Sequence, residues 1–600
     1  MGSLLAIIGD LPRSRRESRL AAMAHRSPYR GDLHCTHHCA ASLAIQSRTT
    51  ESSLHEDEHF VVAVHGRAYL PGTPAPHEPE ASSARRIATQ WTTRGPDCLR
   101  EIDGEFSLLV HDKLDGAIYA CVSISMTRPL FWAQAGDVII LASEIRQVAA
   151  GSGMPQRTDI ETMVEILCFG TPVLDTERTQ YQNIRRLVAP RLYKITPTRP
   201  RLNRQGNYWE PPPAIHLQQE QRRSLPERLE HLLSATLAPK QCHCAHSLSG
   251  GYDSGTLWIL ANRDRHRDDR PKGFGLVFPG ASHDETKPLL ALLRQTGTEA
   301  ELIDATGSAP SDFVDAHLRN IDRLPAAATL YYMDLVGAAM QQAGATRHVT
   351  GAGAEAWLTM QSVYAADLLR QGRLLTLIRD ALHYRSYVPD EGNRLARIRR
   401  FAKAAIAPPG SRLRRFRAVA APGWLHPRWH DLYRSCRASL STLAAKEGHS
   451  RGSRWLVLNY FSLSSGIEAL EQLCQHYELE LDCPYLHRGV AEFGFSVPAR
   501  ALTDGRHAKS LLGRTARLGL GGAQPPWPEN TKVVHDDAFA ADAALVGELG
   551  PARRWQLVDA EVITLDLAEQ MTDGIAAGRP IKPFHDKFSY AERYIRFWSA

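Results

Sequence analysis

Short apolar runs separated by turn residues dominate the first 150 positions of the chain. His59-Phe-Val-Val-Ala-Val-His65, Phe106-Ser-Leu-Leu-Val-His111 and Val138-Ile-Ile-Leu-Ala142 are examples. They predict strands of a mainly β layer, interrupted by a helix near 82–93. From about residue 226 the pattern changes. A helix is predicted over 226–238, then a short strand running into a glycine-containing loop at 249. Gly273-Phe-Gly-Leu-Val-Phe278 reads as a buried strand and is followed by His283-Asp-Glu-Thr-Lys287 and a helix through Leu293. Ala300-Glu-Leu-Ile303 predicts a strand and Leu330–Gln342 a helix, and His348-Val-Thr-Gly-Ala-Gly-Ala-Glu355 predicts a strand ending in a glycine turn. Alternating strands and helices imply a parallel sheet with its ligand site at the carboxyl ends of the strands. Between the two patterns, residues 197–225 carry polar and Pro-rich runs, notably Glu210-Pro-Pro-Pro213, and read as a linker.

A chain of 600 residues exceeds what one core supports, so two or more domains are expected. Its 43% apolar and 23% charged content is that of an ordinary globular protein. A net charge of +6 permits an acidic partner without calling for nucleic acid. No apolar run approaches the roughly 20 residues that span a bilayer, and the start, Met1-Gly-Ser-Leu-Leu-Ala-Ile-Ile8, lacks the basic segment of a secretory signal. Ten cysteines without framework spacing fit a reducing compartment, so a cytoplasmic location is expected, with no membrane partner. His34, Cys35, His37, His38 and Cys39 are metal-ligand types, but zinc sites need spaced pairs converging from two segments. A polar loop is expected there. Residues 366–440 hold Arg370, Arg373, Arg379, Arg394, Arg397, Arg399, Arg400, Arg412, Arg414, Arg415 and Arg417 on an apolar background. They read either as a solvated helical face or as a basic docking surface for an acidic peptide or protein.

The densest chemistry lies in Ser247-Leu-Ser-Gly-Gly-Tyr-Asp-Ser-Gly-Thr256, of the form Ser-Gly-Gly-x-Asp-Ser. Gly250 and Gly251 let the backbone bring its N–H groups against a ligand, and Ser249 and Ser254 add hydroxyls. The helix that follows aims unpaired N–H groups and a partial positive charge at an anion, which makes the segment a phosphate cradle. Asp253 would repel a bare phosphate, and makes sense with a Mg²⁺ between carboxylate and phosphate. The bland alternative is an ordinary glycine-rich turn. The spacing is not that of the Walker loop.

The loop resembles the pyrophosphate-binding loop of the N-type ATP pyrophosphatases, and the chain from near residue 1 to about 540 resembles asparagine synthetase B. Asp103-Gly-Glu-Phe106, Arg128-Pro-Leu-Phe131 and Ala142-Ser-Glu-Ile-Arg146 match pieces of that family's glutaminase domain. Asp284-Glu285, Thr350-Gly-Ala-Gly-Ala-Glu355, Glu480-Leu-Asp-Cys-Pro-Tyr-Leu-His487, Gly505-Arg-His-Ala-Lys509 and Pro528-Glu-Asn-Thr-Lys532 match pieces of its synthetase domain, in the family's order. The resemblance implies an α/β fold: an inactive Ntn-glutaminase-like α+β sandwich over 1–205, then an adenine-nucleotide alpha-hydrolase-like parallel-sheet domain over 206–600 with an Arg-rich helical insertion about 366–440. It implies ATP and pyrophosphate contacts by Leu248, Ser249, Gly250, Gly251, Asp253, Ser254, Leu276, Thr350, Gly351 and Gly353. Mg²⁺ would be held by Asp253 and Glu355, and Lys532 and Lys509 would be the catalytic cations.

The departures narrow the function. Gly2, Ser42 and His65 stand where the family has its nucleophilic Cys, its glutamine-gripping Arg and its oxyanion Asn, so the first domain reads as structural. Ala352 replaces the Glu or Tyr that borders the nucleophile in asparagine and β-lactam synthetases, and Ala356 replaces a further acid. This pattern, with the Arg-rich insertion, looks most like the lasso-peptide cyclases. That resemblance implies ATP-dependent adenylation of an Asp or Glu side chain of a precursor peptide, and then closure of an isopeptide ring by the peptide's own N-terminal amine. A leader-binding or protease partner protein would deliver the peptide. The alternatives are an amide ligase acting on a small substrate and a non-catalytic scaffold that binds nucleotide or peptide.

Overall fold

The structure is a computed structural model. It describes residues 2–27, 31–47, 53–70, 82–215, 217–237, 243–263, 266, 269–280, 284–306, 329–359, 363–383, 394–406, 421–447, 449–460, 462–505, 507–527, 549–577, 588, 591–593 and 595–596.

The strand Gly2–Gly9 is buried along its whole length, and its side chains divide by the period of two. Leu4, Ala6 and Ile8 point into a core shared by two sheets, while Leu5 and Ile7 pack with Leu20, Met23, Val148 and Met163 on an outer layer of helices. Gly2–Gly9 pairs with Ala41–Ser47 and Val138–Ala142 in one six-stranded antiparallel sheet. The second six-stranded sheet centres on Phe60–Tyr69 and Asp103–Asp112, whose outward Val62, Val64, Leu108 and Val110 meet Ile87 and Trp91 of the helix Ser83–Arg94. Ser82 caps that helix, its Oγ accepting from Arg85 N at 3.3 Å. The result is helix, sheet, sheet, helix: an α+β sandwich, with strands that read as continuous apolar runs because both faces are covered.

Two segments depart from the sequence expectation. Residues 34–38 are not a polar loop: Asp32–His38 is a strand paired in register with Ala41–Ser47, followed by a turn at Cys39 with φ of 46°. Part of the expected linker is also strand, Leu202–Asn207 pairing with Arg191–Ile195 at the sheet edge. Five of its six residues are exposed, so no apolar period marks it. Polar strands are legible only through their partner.

The second domain is built on a five-stranded parallel sheet with spatial order Ala300–Asp304, Lys272–Val277, Cys244–Leu248, Arg347–Val349, Glu480–Asp482. The helices Leu225–Leu237, Tyr252–Asn262, Thr286–Thr296 and Thr329–Gln342 accompany it. Of the arginine-rich segment, Arg370, Arg379 and Arg399 are exposed on helices, Arg373 is exposed just before the helix Leu374–His383, and residues 412–417 lie outside the described residues. Residues from 421–447 and 549–595 return to the first domain. Tyr433 stacks on Phe169 at 5.3 Å, and Trp555, Val562 and Ile563 join the core on its outer helices. Among the described residues no helix is long and apolar enough to cross a membrane.

Candidate active site

The middle strand of the parallel sheet, Cys244–Leu248, ends in Ser249-Gly250-Gly251, and the helix Tyr252–Asn262 starts at once. Side chains are barred where the backbones converge. A Cβ on Gly250 would lie 2.5 Å from Pro288 Cγ and 2.8 Å from the Glu285 carbonyl oxygen, and one on Gly351 would lie 2.7 Å from Ser254 N. Gly353 has φ of 95° and Leu486 directly against it, so that turn also requires glycine. Gly251 has more room, with only Ser249 Oγ near, at 3.3 Å. Ser254 Oγ accepts from Ser249 N at 3.0 Å and lies 3.1 Å from Ser249 Oγ, while Gly251 N donates to Ser249 Oγ. The two hydroxyls thus brace the loop beneath a helix N-terminus, the arrangement that receives phosphate oxygens.

Lys509 closes the site from a distant part of the chain. Its Nζ donates to Asp253 Oδ1 at 2.9 Å and Oδ2 at 2.7 Å, and lies 3.5 Å from Glu355 Oε1. Asp253, Glu355 and Lys509, widely separated in sequence, are therefore one group. Two carboxylates that already converge on one cation, partly open to solvent and beside a phosphate cradle, are a donor set suited to Mg²⁺. Leu248 is buried with Trp258, Val277 and Trp527, and Leu276 is half-buried on the neighbouring strand, one position past the residue paired with Leu248. Thr350 N donates to the Asp482 carbonyl at 3.0 Å, which holds the 350–355 turn to the sheet. Ala356 is buried and Ala352 half-buried. Asp284 accepts from Thr286 N at 3.1 Å and so serves the start of the helix Thr286–Thr296. Lys532 lies outside the described residues.

Two contributors were not singled out in the sequence. Tyr485 is fully buried, and its hydroxyl donates to the Asp253 carbonyl at 2.9 Å. Trp527 lies against Gly255, where a Cβ would come 2.2 Å from the indole, and its ring sits 4.8 Å from that of Tyr252. A glycine inside a helix was the available signal for that close approach.

In the first domain, the three departures from the glutaminase pattern are all built into packing. A Cβ on Gly2 would lie 2.3 Å from the Gln46 carbonyl oxygen. Ser42 Oγ accepts from Arg16 Nε at 2.8 Å and lies 2.7 Å from His37 Nδ1. His65 is buried 3.2 Å from Ser143 Oγ, and burial, with Arg128 nearby, pushes its pKa well down. Among the described residues, Glu105, Asp482 and His487 are the one trio of metal-ligand types whose donor atoms converge. Arg67 already reaches two of them, with Nη2 2.9 Å from Glu105 and Nη1 3.6 Å from Asp482. Arg128 adds a second guanidinium, 2.5 Å from Glu471 and 3.2 Å from Glu480. Burial raises Glu471 to about 7 against the pull of Arg128. We read the cluster as a buried ion network between domains, its negative charge met by guanidinium groups and not by a metal.

Comparison with known proteins agrees with this architecture. Residues 77–209 match the glutamine amidotransferase domain family and residues 229–520 match the asparagine synthase family. No curated protein matches the chain. Among solved structures, glutamine phosphoribosylpyrophosphate amidotransferase from B. subtilis, complexed with ADP and GMP, is 10% identical. That alignment covers 50% of this chain and 81% of that one, with a TM-score of 0.24. An allosteric regulatory enzyme of purine biosynthesis is also 10% identical, over 51% of this chain and 81% of that one, with a TM-score of 0.25. The two family matches, in this order on one chain, support an asparagine-synthetase-like protein whose second domain is that of an ATP-dependent amide ligase.

Proposed function

We propose that the protein is a macrolactam synthetase of the lasso-peptide cyclase type. The observation that carries this reading is the contrast between the assembled Asp253–Lys509–Glu355 site and position 2, where even a Cβ is excluded. The ligase site is kept while the position that would release ammonia from glutamine has no side chain, and in this reading the nitrogen nucleophile arrives with the substrate. A peptide carrying both an acidic side chain and a free N-terminal amine supplies both partners.

In this reading the loop amides with Ser249 and Ser254 hold the phosphates of ATP. A carboxylate oxygen of a peptide Asp or Glu attacks the α-phosphorus, and pyrophosphate leaves. The N-terminal amine then attacks the acyl carbon of the adenylate, AMP leaves with the bonding pair of the broken C–O bond, and the amine loses a proton. Mg²⁺, held by Asp253 and Glu355, would neutralise phosphate charge when bound. Lys509, and Lys532 with it, would stabilise the charge that grows on phosphorus and on the tetrahedral oxyanion. Holding amine and acyl group together in one folded peptide supplies the proximity term. A partner protein that delivers the peptide has a fitting surface on the helix Leu374–His383, where Leu375 is 86% and Ile378 58% exposed beside the exposed Arg373 and Arg379. Its occupant would be an acidic, apolar-bearing segment. A cytoplasmic location belongs to the same proposal.

The test is mass spectrometry of a short acidic peptide incubated with ATP and Mg²⁺. A product one water lighter than the peptide, formed with equimolar AMP and pyrophosphate, supports ring closure. Amide formation only on a small acid with free ammonia would instead favour a small-substrate ligase. Absence of ATP–pyrophosphate exchange with any acid would favour a scaffold.

A further inference from the structure

Residues 480–489 form a strap that touches both domains, and several of its contacts with the second domain fall on the nucleotide site. Asp482 O accepts from Thr350 N at 3.0 Å, and Tyr485 Oη donates to Asp253 O at 2.9 Å. Trp357 Nε1 donates to Tyr485 O at 2.8 Å, and Leu486 fills the space beneath Gly353. The strap thus meets both the 350–355 turn and the first turn of the phosphate-loop helix. Its other side is held by the first domain. Glu105 Oε1 accepts from Cys483 N at 2.9 Å, and Arg128 Nη2 donates to Leu481 O at 3.0 Å. Asp103 accepts from Arg488 N at 2.8 Å and from Gly489 N at 3.1 Å. Glu105 is fully buried and Arg128 nearly so, where such bonds are shielded from competing water.

We infer that the amidotransferase-like domain acts as the positioning wall of the ATP site, and that Glu105 is its principal positioning residue, acting on Asp253 through the strap and Tyr485. A strap held on one side only would leave the Asp253 carbonyl and the 350–355 turn free to move by the fractions of an ångström that a phosphate site does not tolerate. This explains what a domain with Gly2 in place of a nucleophile still does for the ligase. The inference rests on the proposed ATP-dependent reading of the site but not on the peptide, so its test reads ATP rather than cyclised product.

The experiment measures ATP binding to the full chain by titration calorimetry, with thermal unfolding of each variant alongside. Glu105→Ala is expected to weaken ATP binding about fivefold, roughly the worth of one net hydrogen bond. Glu105→Gln, whose carbonyl oxygen can still accept from Cys483 N, is expected to restore most of that loss. Tyr485→Phe, which removes only the hydroxyl, should weaken binding by a similar factor with little change in melting temperature. The double variant Glu105→Ala/Tyr485→Phe should bind no more weakly than the worse single one, because both act through the same strap. If Glu105→Ala fails to fold, Asp103→Ala, which removes the first domain's hold on Arg488 N and Gly489 N of the same strap, takes its place in the cycle with Tyr485→Phe. Unchanged ATP affinity in Tyr485→Phe, or fully additive losses, would overturn the inference. No ATP binding by the unmodified protein would instead sink the reading of the site itself.

Discussion

The end of the sandwich around Gly2, Ser42 and His65 and the carboxyl edge of the parallel sheet around Ser249–Gly255 are two places where a catalytic site is expected. They have been treated oppositely. At the first, packing has closed every position: Gly2 sits against a carbonyl oxygen, Ser42 is engaged by Arg16 and His37, and His65 is buried. At the second, polar groups remain partly open and arranged around one cation, with Asp253 23% and Glu355 45% exposed. A site that keeps its function keeps unsatisfied bonding capacity, whereas one relieved of it fills with ordinary packing. On the proposed reading the difference marks which half does chemistry, and it can be attacked from either side.

The largest expected effect is at the open site. Asp253→Asn should lower ATP–pyrophosphate exchange by about two to three orders of magnitude, with unchanged circular dichroism, since only the charge is removed. Near-normal exchange would show that the carboxylate is not the metal and phosphate partner. Lys509→Met comes next. It leaves Asp253 and Glu355 facing ATP without their cation, so ATP affinity should fall roughly 10- to 100-fold, the range for a charged hydrogen bond. Lys532→Met should spare affinity and slow single-turnover product formation, and a change in affinity alone would exchange the two roles.

At the closed end, Gly2→Cys restores the missing thiol on paper only. The Cβ would meet Gln46 O at 2.3 Å, so the variant should lose about 1–3 kcal/mol of stability in urea unfolding. It should still release no glutamate from glutamine. Glutamate production proportional to this variant would mean that the pocket is latent rather than filled. The last effect concerns acid. Burial lowers His111 and His348 to about 4, while the unfolded imidazoles protonate near 6.5. Between those values the unfolded chain binds more protons. Stability should therefore fall as pH is lowered from about 6.5 to about 4, by at most ~1.4 kcal/mol per pH unit for each histidine. His111→Gln should flatten that slope in urea midpoints, and an unchanged slope would place the acid sensitivity elsewhere.

Much of the fold was legible because the relevant signals are local. The apolar runs at 59–65, 106–111 and 138–142 became strands, the alternation from 226 onward became a parallel sheet, and Ser82 marked a helix start. The misreadings have a common cause. Asp32–His38 and Leu202–Asn207 are polar strands whose ladder partners, Ala41–Ser47 and Arg191–Ile195, supply the reason to extend. A strand carries no such reason within its own residues when neither face is apolar.

The same division holds at the site. The sequence by itself determined the strand–loop–helix at Ser249–Ser254, since two adjacent glycines before a helix restrict the backbone within ten residues. It also determined the absence of a thiol at position 2. Only the tertiary structure decided that Lys509 would pair with both Asp253 and Glu355, that Tyr485 would brace Asp253, and that Glu105 would hold the strap from another domain. These partners are 100 residues or more apart in the chain, apart from Tyr485 and the strap it belongs to. Nothing in local propensity distinguishes such a lysine, tyrosine or glutamate from any other. Their roles come from burial and convergence, which arise only when the chain closes on itself and each buried polar group must find its partner.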